Sequence, residues 1–159
     1  MKRFVLSLLL LGLIVSAAGA QSIVFIVRHA EKETSGGNDP ELSESGRARA
    51  EVLARMLHDA GITAVYATEF KRTQQTAAPL AKTLAIKPTI VPANDIAALT
   101  SKLREARQNA LVVGHTNTIP ELIKALGIDV SINIPETDYD NLFVVVLDEK
   151  PHFTLLHYR

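Results

Sequence analysis

The sequence contains no cysteine. That excludes a disulfide framework, a thiol nucleophile, a thiolate zinc site and lipid attachment through a cysteine. It also lacks an excess of charge of either sign: 17 Lys and Arg stand against 17 Asp and Glu. A general nucleic-acid binder would carry a basic surplus, and an acidic disordered chain the opposite one. Internal repeats, low-complexity tracts and dividing linkers are missing too. At roughly 100–200 residues per domain, 159 residues leave room for one. Apolar residues make up 47% of the chain, enough for a core that needs neither disulfides nor a structural metal.

The one long apolar run lies at the start. Lys2 and Arg3 precede an apolar stretch from Phe4 to Val15, broken by Ser7 and Gly12. Small residues follow, and Ala18-x-Ala20 before Gln21 fits a signal-peptidase site. Residues 1–20 are therefore expected to be a secretory signal peptide, and residues 21–159 the folded domain. The run is shorter than the roughly 20 residues that span a bilayer; an uncleaved anchor and a buried core helix are the other readings. Cleavage removes 20 of the 159 residues and leaves 139, in which 15 basic residues face 17 acidic ones. The expectation is an exported protein, periplasmic or secreted, with no stable membrane span after cleavage.

Along the rest of the chain, strand and helix patterns alternate. Residues 22–27 form a short β-branched and aromatic run, which predicts a buried strand. Ser43 is placed to cap a helix over 44–60, with Ala48, Val52, Met56 and Ala60 flanked by Leu53 and Leu57 as its apolar stripe, and Gly61 to end it. A strand over 62–67, a helix over 71–84, a strand over 89–91, a helix over 95–108 and a strand over 110–113 follow. A helix over 119–126 carries Pro120 in its first turn. Residues 142–147 and 152–157 read as a hairpin. The pattern predicts a three-layer α/β sandwich: a mostly parallel central sheet, helices on both faces and a C-terminal antiparallel hairpin. Such sheets bind ligands at the carboxyl ends of their strands.

Those ends carry Arg28-His29, the segment Thr68-Glu69-Phe70-Lys71-Arg72-Thr73, and Gly114-His115-Thr116-Asn117-Thr118. Core packing gives no reason to gather two arginines and two histidines there. Two guanidiniums can hold a tetrahedral dianion through charge-assisted hydrogen bonds. A neutral imidazole beside that anion is a competent nucleophile on phosphorus. A second histidine can stabilise the equatorial oxygens, where transition-state charge is spread. The arginines supply charge neutralisation, so the set needs no metal and no cofactor.

Five segments, in order, resemble the histidine phosphatase superfamily with its phosphoglycerate-mutase-like fold. Arg28-His29-Ala30-Glu31 resembles the R-H-G/A-E signature. The stretch from Leu42 to Ala50 is similar to the L-T/S-x-x-G-x-x-Q/R-A helix start. Tyr66 to Ala77 resembles Y-x-S-x-x-x-R-x-x-x-T-A, and Val112 to Thr118 the second histidine motif. Tyr139 to Phe143 resembles a late family segment. The resemblance implies His29 as the nucleophile that becomes phosphorylated, Arg28 and Arg72 as phosphoryl ligands, and His115 as the group that completes the pocket. Asn117 either touches phosphate or caps the helix containing Pro120.

The chain departs from the family's mutases in one respect. Those carry a long insertion before the second histidine motif, which caps the pocket and brings a glutamate acid. Here Arg72 and His115 are only 43 positions apart, which predicts an open pocket suited to a bulky phosphorylated substrate, such as a phosphoprotein side chain or an envelope glycan. Asp95 stands near where the family acid would fall, although it is equally placed to cap a helix; Glu69 and Glu136 are lesser candidates. Without an acid, good leaving groups would be favoured, as in phosphohistidine or an acyl phosphate. Glu31 and Lys32 read as a loop pair beside the pocket. His58, Arg47 and Lys71 read as solvated charge, and His152 and His157 as hairpin residues on opposite faces. The expected activity is that of a metal-independent phosphatase. Its rivals are a non-catalytic phosphate-binding module of the same fold and a metal-dependent hydrolase using His29 and His115.

Overall fold

The computed structural model describes residues 21–159; the expected signal peptide lies outside the described residues. Six strands form one sheet in the order β3-β2-β4-β1-β5-β6. They are β1 (Ser22–Arg28), β2 (Ala64–Ala67), β3 (Thr89–Ile90), β4 (Ala110–Gly114), β5 (Asn141–Leu147) and β6 (His152–His157). The first four run parallel, while β5 and β6 are antiparallel and form the terminal hairpin. Four helices complete the fold: α1 (Glu44–Leu57), α2 (Lys71–Thr83), α3 (Ile96–Ala106) and α4 (Thr118–Ala125). Among the described residues no helix is long and apolar enough to cross a membrane.

The period-two alternation of the strands separates two cores. Phe25 and Val27 of β1 point to one face, where they meet Leu53, Ala54 and Leu57 of α1 and Ala77 and Leu80 of α2. Val24 and Ile26 point to the other face, against Leu99 and Leu103 of α3 and Ile119, Leu122 and Ile123 of α4. Both faces are covered, so the central strands are apolar throughout, as a three-layer sandwich requires.

The elements agree with the sequence pattern, with corrections at edges and on one face. Helix α1 stops at Leu57 rather than reaching Ala60, and β3 is two residues long. The apolar stripe of α1 is also rotated from the expected one. Gly46, Ala50, Leu53, Ala54 and Leu57 are buried, while Met56 is 43% exposed and Ala48 lies outside. The reason is Gly46. This residue faces the loop after β1 so closely that a Cβ there would collide with the Glu31 carbonyl. Close approach, not side-chain hydrophobicity, decides which side of α1 turns inward.

Two caps set how the segments meet. Ser43 Oγ accepts from the Gly46 amide at 3.1 Å, as its N-cap position predicts. Helix α2 begins at Phe70, which has no capping side chain. Asp39, from the polar loop after β1, supplies the acceptor instead, taking the Lys71 amide at 2.9 Å. Glycine inside a helix costs about 1 kcal/mol relative to alanine on propensity alone. Gly46→Ala is nevertheless expected to lower the melting temperature, because relief of the collision must move residues 29–31 or the helix. A raised melting temperature on thermal unfolding would show that propensity outweighs the contact.

Candidate active site

The parallel pairing of β1 with β4 aligns Arg28 with Gly114. One residue further on, the His29 amide donates to the Gly114 carbonyl at 3.0 Å. His29 and His115 therefore leave adjacent strands at the same level, with ring centroids 5.5 Å apart and planes inclined by 62°. Pairing of β2 with β4 aligns Ala67 with Val113 and brings Thr68 in beside them.

His29 is 4% exposed. Its Nδ1 lies 2.8 Å from the Ala30 carbonyl oxygen. A carbonyl only accepts, so Nδ1 carries the proton in the neutral ring and Nε2 keeps its lone pair. Burial pushes the His29 pKa down to about 4; the Ala30 hydrogen bond opposes this, and Arg28, Arg72 and His115 add to it. The ring is thus neutral near pH 7, with a defined tautomer. Thr76 holds the turn from behind: its hydroxyl accepts from the Ala30 amide at 2.9 Å and donates to the Arg72 carbonyl at 2.7 Å. One threonine therefore ties the histidine turn to the helix that carries the second arginine.

Arg28 is buried, and Nη1 donates to the carbonyls of Pro135, Glu136 and Asp138. Its guanidinium carbon lies 4.3 Å from the centroid of the Tyr139 ring. Arg72 lies 4.4 Å from the Phe70 ring centroid, and its Nη1 is 3.9 Å from an Asp39 carboxylate oxygen. Both arginines keep a buried Nε–H that meets no acceptor among the described residues. Each guanidinium thus lies beside an aromatic ring and keeps a donor that no described protein group uses.

His115 is 7% exposed, and burial, with Arg72 and Arg28 nearby and Glu69 opposing, also lowers its pKa to about 4. A chain of hydroxyls orients it. Thr73 donates to the Phe70 carbonyl at 2.8 Å, Thr68 Oγ1 is 2.9 Å from Thr73 Oγ1, and His115 Nε2 is 3.0 Å from Thr68 Oγ1. With Thr73 committed to the carbonyl, Thr68 donates to Thr73, and His115 Nε2–H donates to Thr68. Phe70 packs edge-on against the same ring at 5.3 Å.

Arg28, His29, Arg72 and His115 line one open cleft of about 620 Å³. The cleft also takes in Asn117, whose side chain makes no capping bond to α4 and stays available to a ligand. Asp95 does not line it. Its carboxylate accepts from the Ala98 amide at 3.0 Å and caps α3. Glu69 is likewise engaged, accepting from the Ala93 amide at 2.8 Å. The carboxylates on the cleft wall are Glu136 and Glu121. Sequence reasoning missed Glu121, because an acid in the first turn of a helix reads as a match to the helix dipole.

The loop pair expected of Glu31 and Lys32 does not form. Lys32 lines the cleft, but Glu31 turns to Arg49, with a shortest approach of 2.6 Å. Although burial acts the other way, the Arg49 bonds hold the Glu31 carboxyl below its usual range. Arg49 also donates to the backbone carbonyl of Tyr158 at 3.3 Å. His58 and His157 sit outside the site, beside Asp59 and Asp140.

The two depressed histidines make stability depend on pH. Unfolded, each binds a proton near its ordinary 6.5; folded, near 4. The unfolded chain takes up more protons between these values, so stability falls as pH drops through that window. Denaturant midpoints measured from pH 7 to pH 4 should fall, and the fall should shrink in His29→Gln and His115→Gln. An equal fall in all three proteins would mean that other groups set it.

Comparison with known proteins accords with this geometry. Residues 24–94 match the family model of the histidine phosphatase superfamily, branch 1. Comparison with curated protein sequences gives no match. Among solved structures, the protein histidine phosphatase SixA complexed with tungstate is similar, with a TM-score of 0.71, 21% identity and coverage of 85% of this chain and 96% of that one. A mycobacterial glucosyl-3-phosphoglycerate phosphatase is also similar, with a TM-score of 0.67, 14% identity and coverage of 87% and 98%. With its motifs at the ends of β1, β2 and β4 and a family model that matches residues 24–94, the chain is similar to the histidine phosphatase superfamily, and its fold is that of the similar phosphatase structures.

Proposed function

We propose that the chain hydrolyses a phosphomonoester or phosphoramidate through a phosphohistidine on His29, without a metal. The observation that carries this reading is the His29 tautomer: Nδ1–H is committed to the Ala30 carbonyl, leaving the Nε2 lone pair as the nucleophile within a cleft shared with both arginines. In the first step Nε2 attacks phosphorus, the N–P bond forms and the bond to the leaving group breaks. In the second, water attacks phosphorus, the N–P bond breaks and orthophosphate leaves with His29 restored. Arg28 and Arg72 neutralise the transferring group, and His115, held by Thr68, forms the adjoining wall of the pocket. Asn117 is a further ligand from the α4 end.

A bulky substrate is favoured by the short connection between the arginine and the second histidine. It consists of α2, β3, α3 and β4, with no inserted lid. The similar structures act, by their names, on a protein phosphohistidine and on a phosphorylated glucosyl compound. Both suit the expected phosphoprotein or envelope glycan. Because Asp95 serves as a cap, Glu69 holds the Ala93 amide and Glu136 lies on Arg28, the three expected acids are all engaged, and leaving groups that need little protonation are favoured. The same fact supports the second reading, a phosphate-binding module without turnover.

Aryl phosphate turnover separates these readings. The protein should hydrolyse it with chelator present, and His29→Ala should lower kcat by at least about a thousandfold, as loss of a nucleophile does. Turnover that survives His29→Ala would refute the mechanism; loss with chelator would favour a metal-dependent hydrolase; orthophosphate binding without turnover would favour the module. Export through residues 1–20 belongs to the same proposal. The mass of the protein recovered outside the cytoplasm should place its first residue at Gln21, and a species starting at Met1 would contradict cleavage.

A further inference from the structure

Arg28 already has an anion on it. Glu136 places a carboxylate oxygen 2.7 Å from Nη2. The other contacts of this guanidinium are of a different kind. Nη1 donates to the carbonyls of Pro135, Glu136 and Asp138 at 3.2, 2.9 and 3.3 Å. Those are backbone partners, and they fix the group against the Tyr139 ring. The Glu136 side chain is 80% exposed, against 3% for that of Arg28, so it can swing away at little cost in packing.

A guanidinium has five N–H donors. Backbone carbonyls consume those of Nη1, which leaves Nε–H and the Nη2 pair for a ligand. Nε–H meets no acceptor among the described residues, and Nη2 carries Glu136. The edge suited to clamp a phosphoryl group is thus the edge on which the carboxylate sits. Two anions on that edge would repel each other, so one excludes the other.

We propose that Glu136 is an intramolecular competitor for the phosphoryl site. Its carboxylate occupies Arg28 in the free protein, yields to the substrate's phosphoryl group and returns as orthophosphate leaves. The proposal rests on Arg28 being a phosphoryl ligand, as read above, and Glu136 itself makes and breaks no covalent bond. If Arg28 is free in about one-tenth of molecules, any phosphate binds about tenfold more weakly than the bare pocket would allow. An extended substrate recovers that loss through contacts elsewhere in the open cleft. Orthophosphate has no such contacts. Glu136 is therefore a specificity-determining residue that disfavours product and small phosphates relative to large ones.

Calorimetric titration with orthophosphate tests this on the unaltered protein, Glu136→Gln and Glu121→Gln. Glu136→Gln should bind orthophosphate about tenfold more tightly, and orthophosphate should inhibit its aryl phosphatase activity at correspondingly lower concentration. Glu121→Gln removes the same charge from the same cleft without touching Arg28, and should shift binding much less. Equal tightening in both variants would assign the effect to general charge and overturn the proposal. Unchanged or weaker binding in Glu136→Gln would overturn it as well. Orthophosphate binding requires no turnover. A chain that binds it through Arg28 but hydrolyses nothing would refute the catalytic reading and leave the competitor standing, whereas failure of all three proteins to bind it would overturn the competitor and leave the catalytic reading to the aryl phosphate test.

Discussion

The amide of His29 donates to the carbonyl of Gly114 across the β1–β4 ladder, and the site is organised around that register. Parallel strands side by side bring equivalent positions to the same height. A slip of one residue would send Val24 and Ile26 toward the wrong core and separate the two histidines. The register is held from both sides, because β1 lies between β4 and β5 and its residues are apolar on both faces. Core packing, rather than any contact within the cleft, sets the distance between the rings.

The electrostatics follow from that placement. Two arginines beside two buried imidazoles would be unfavourable if the rings were charged, and burial keeps the rings neutral. Neutral rings can serve as nucleophile and hydrogen-bond partner, while the cations keep their charge for an incoming anion. The hydroxyls of Thr76, Thr68 and Thr73 supply the direction that burial alone does not. They tie the histidine turn to the arginine helix and orient His115 without adding charge.

The alternation of elements, the sheet's terminal hairpin and the gathering of Arg28, His29, Arg72 and His115 could be read from the sequence, because Arg28 ends β1, His29 and His115 directly follow β1 and β4, and Arg72 lies in the first turn of the helix after β2. What escaped depends on contacts between distant segments. The inward face of α1 is chosen by the clearance at Gly46, which hydrophobic periodicity does not register. Asp39 caps a helix 32 positions away, and no local rule links them. Asp95 stood correctly at a helix start, yet its chemistry turned on where its carboxylate pointed: onto the Ala98 amide. Glu31 and Lys32 are neighbours in sequence but face different partners, since consecutive residues in extended chain diverge.

Tyr158 closes the fold at a distance from its chemistry. Its amide donates to the Asp140 carbonyl, its ring is buried, and its own carbonyl takes a hydrogen bond from Arg49. Arg49 in turn grips Glu31, two residues beyond His29. The segment after β6 is thereby tied to the loop after β1, across almost the whole described chain. A chain made in order holds the Arg28-His29 motif long before residue 158, so the backing of Arg49 by the Tyr158 carbonyl is among the last contacts the fold can make.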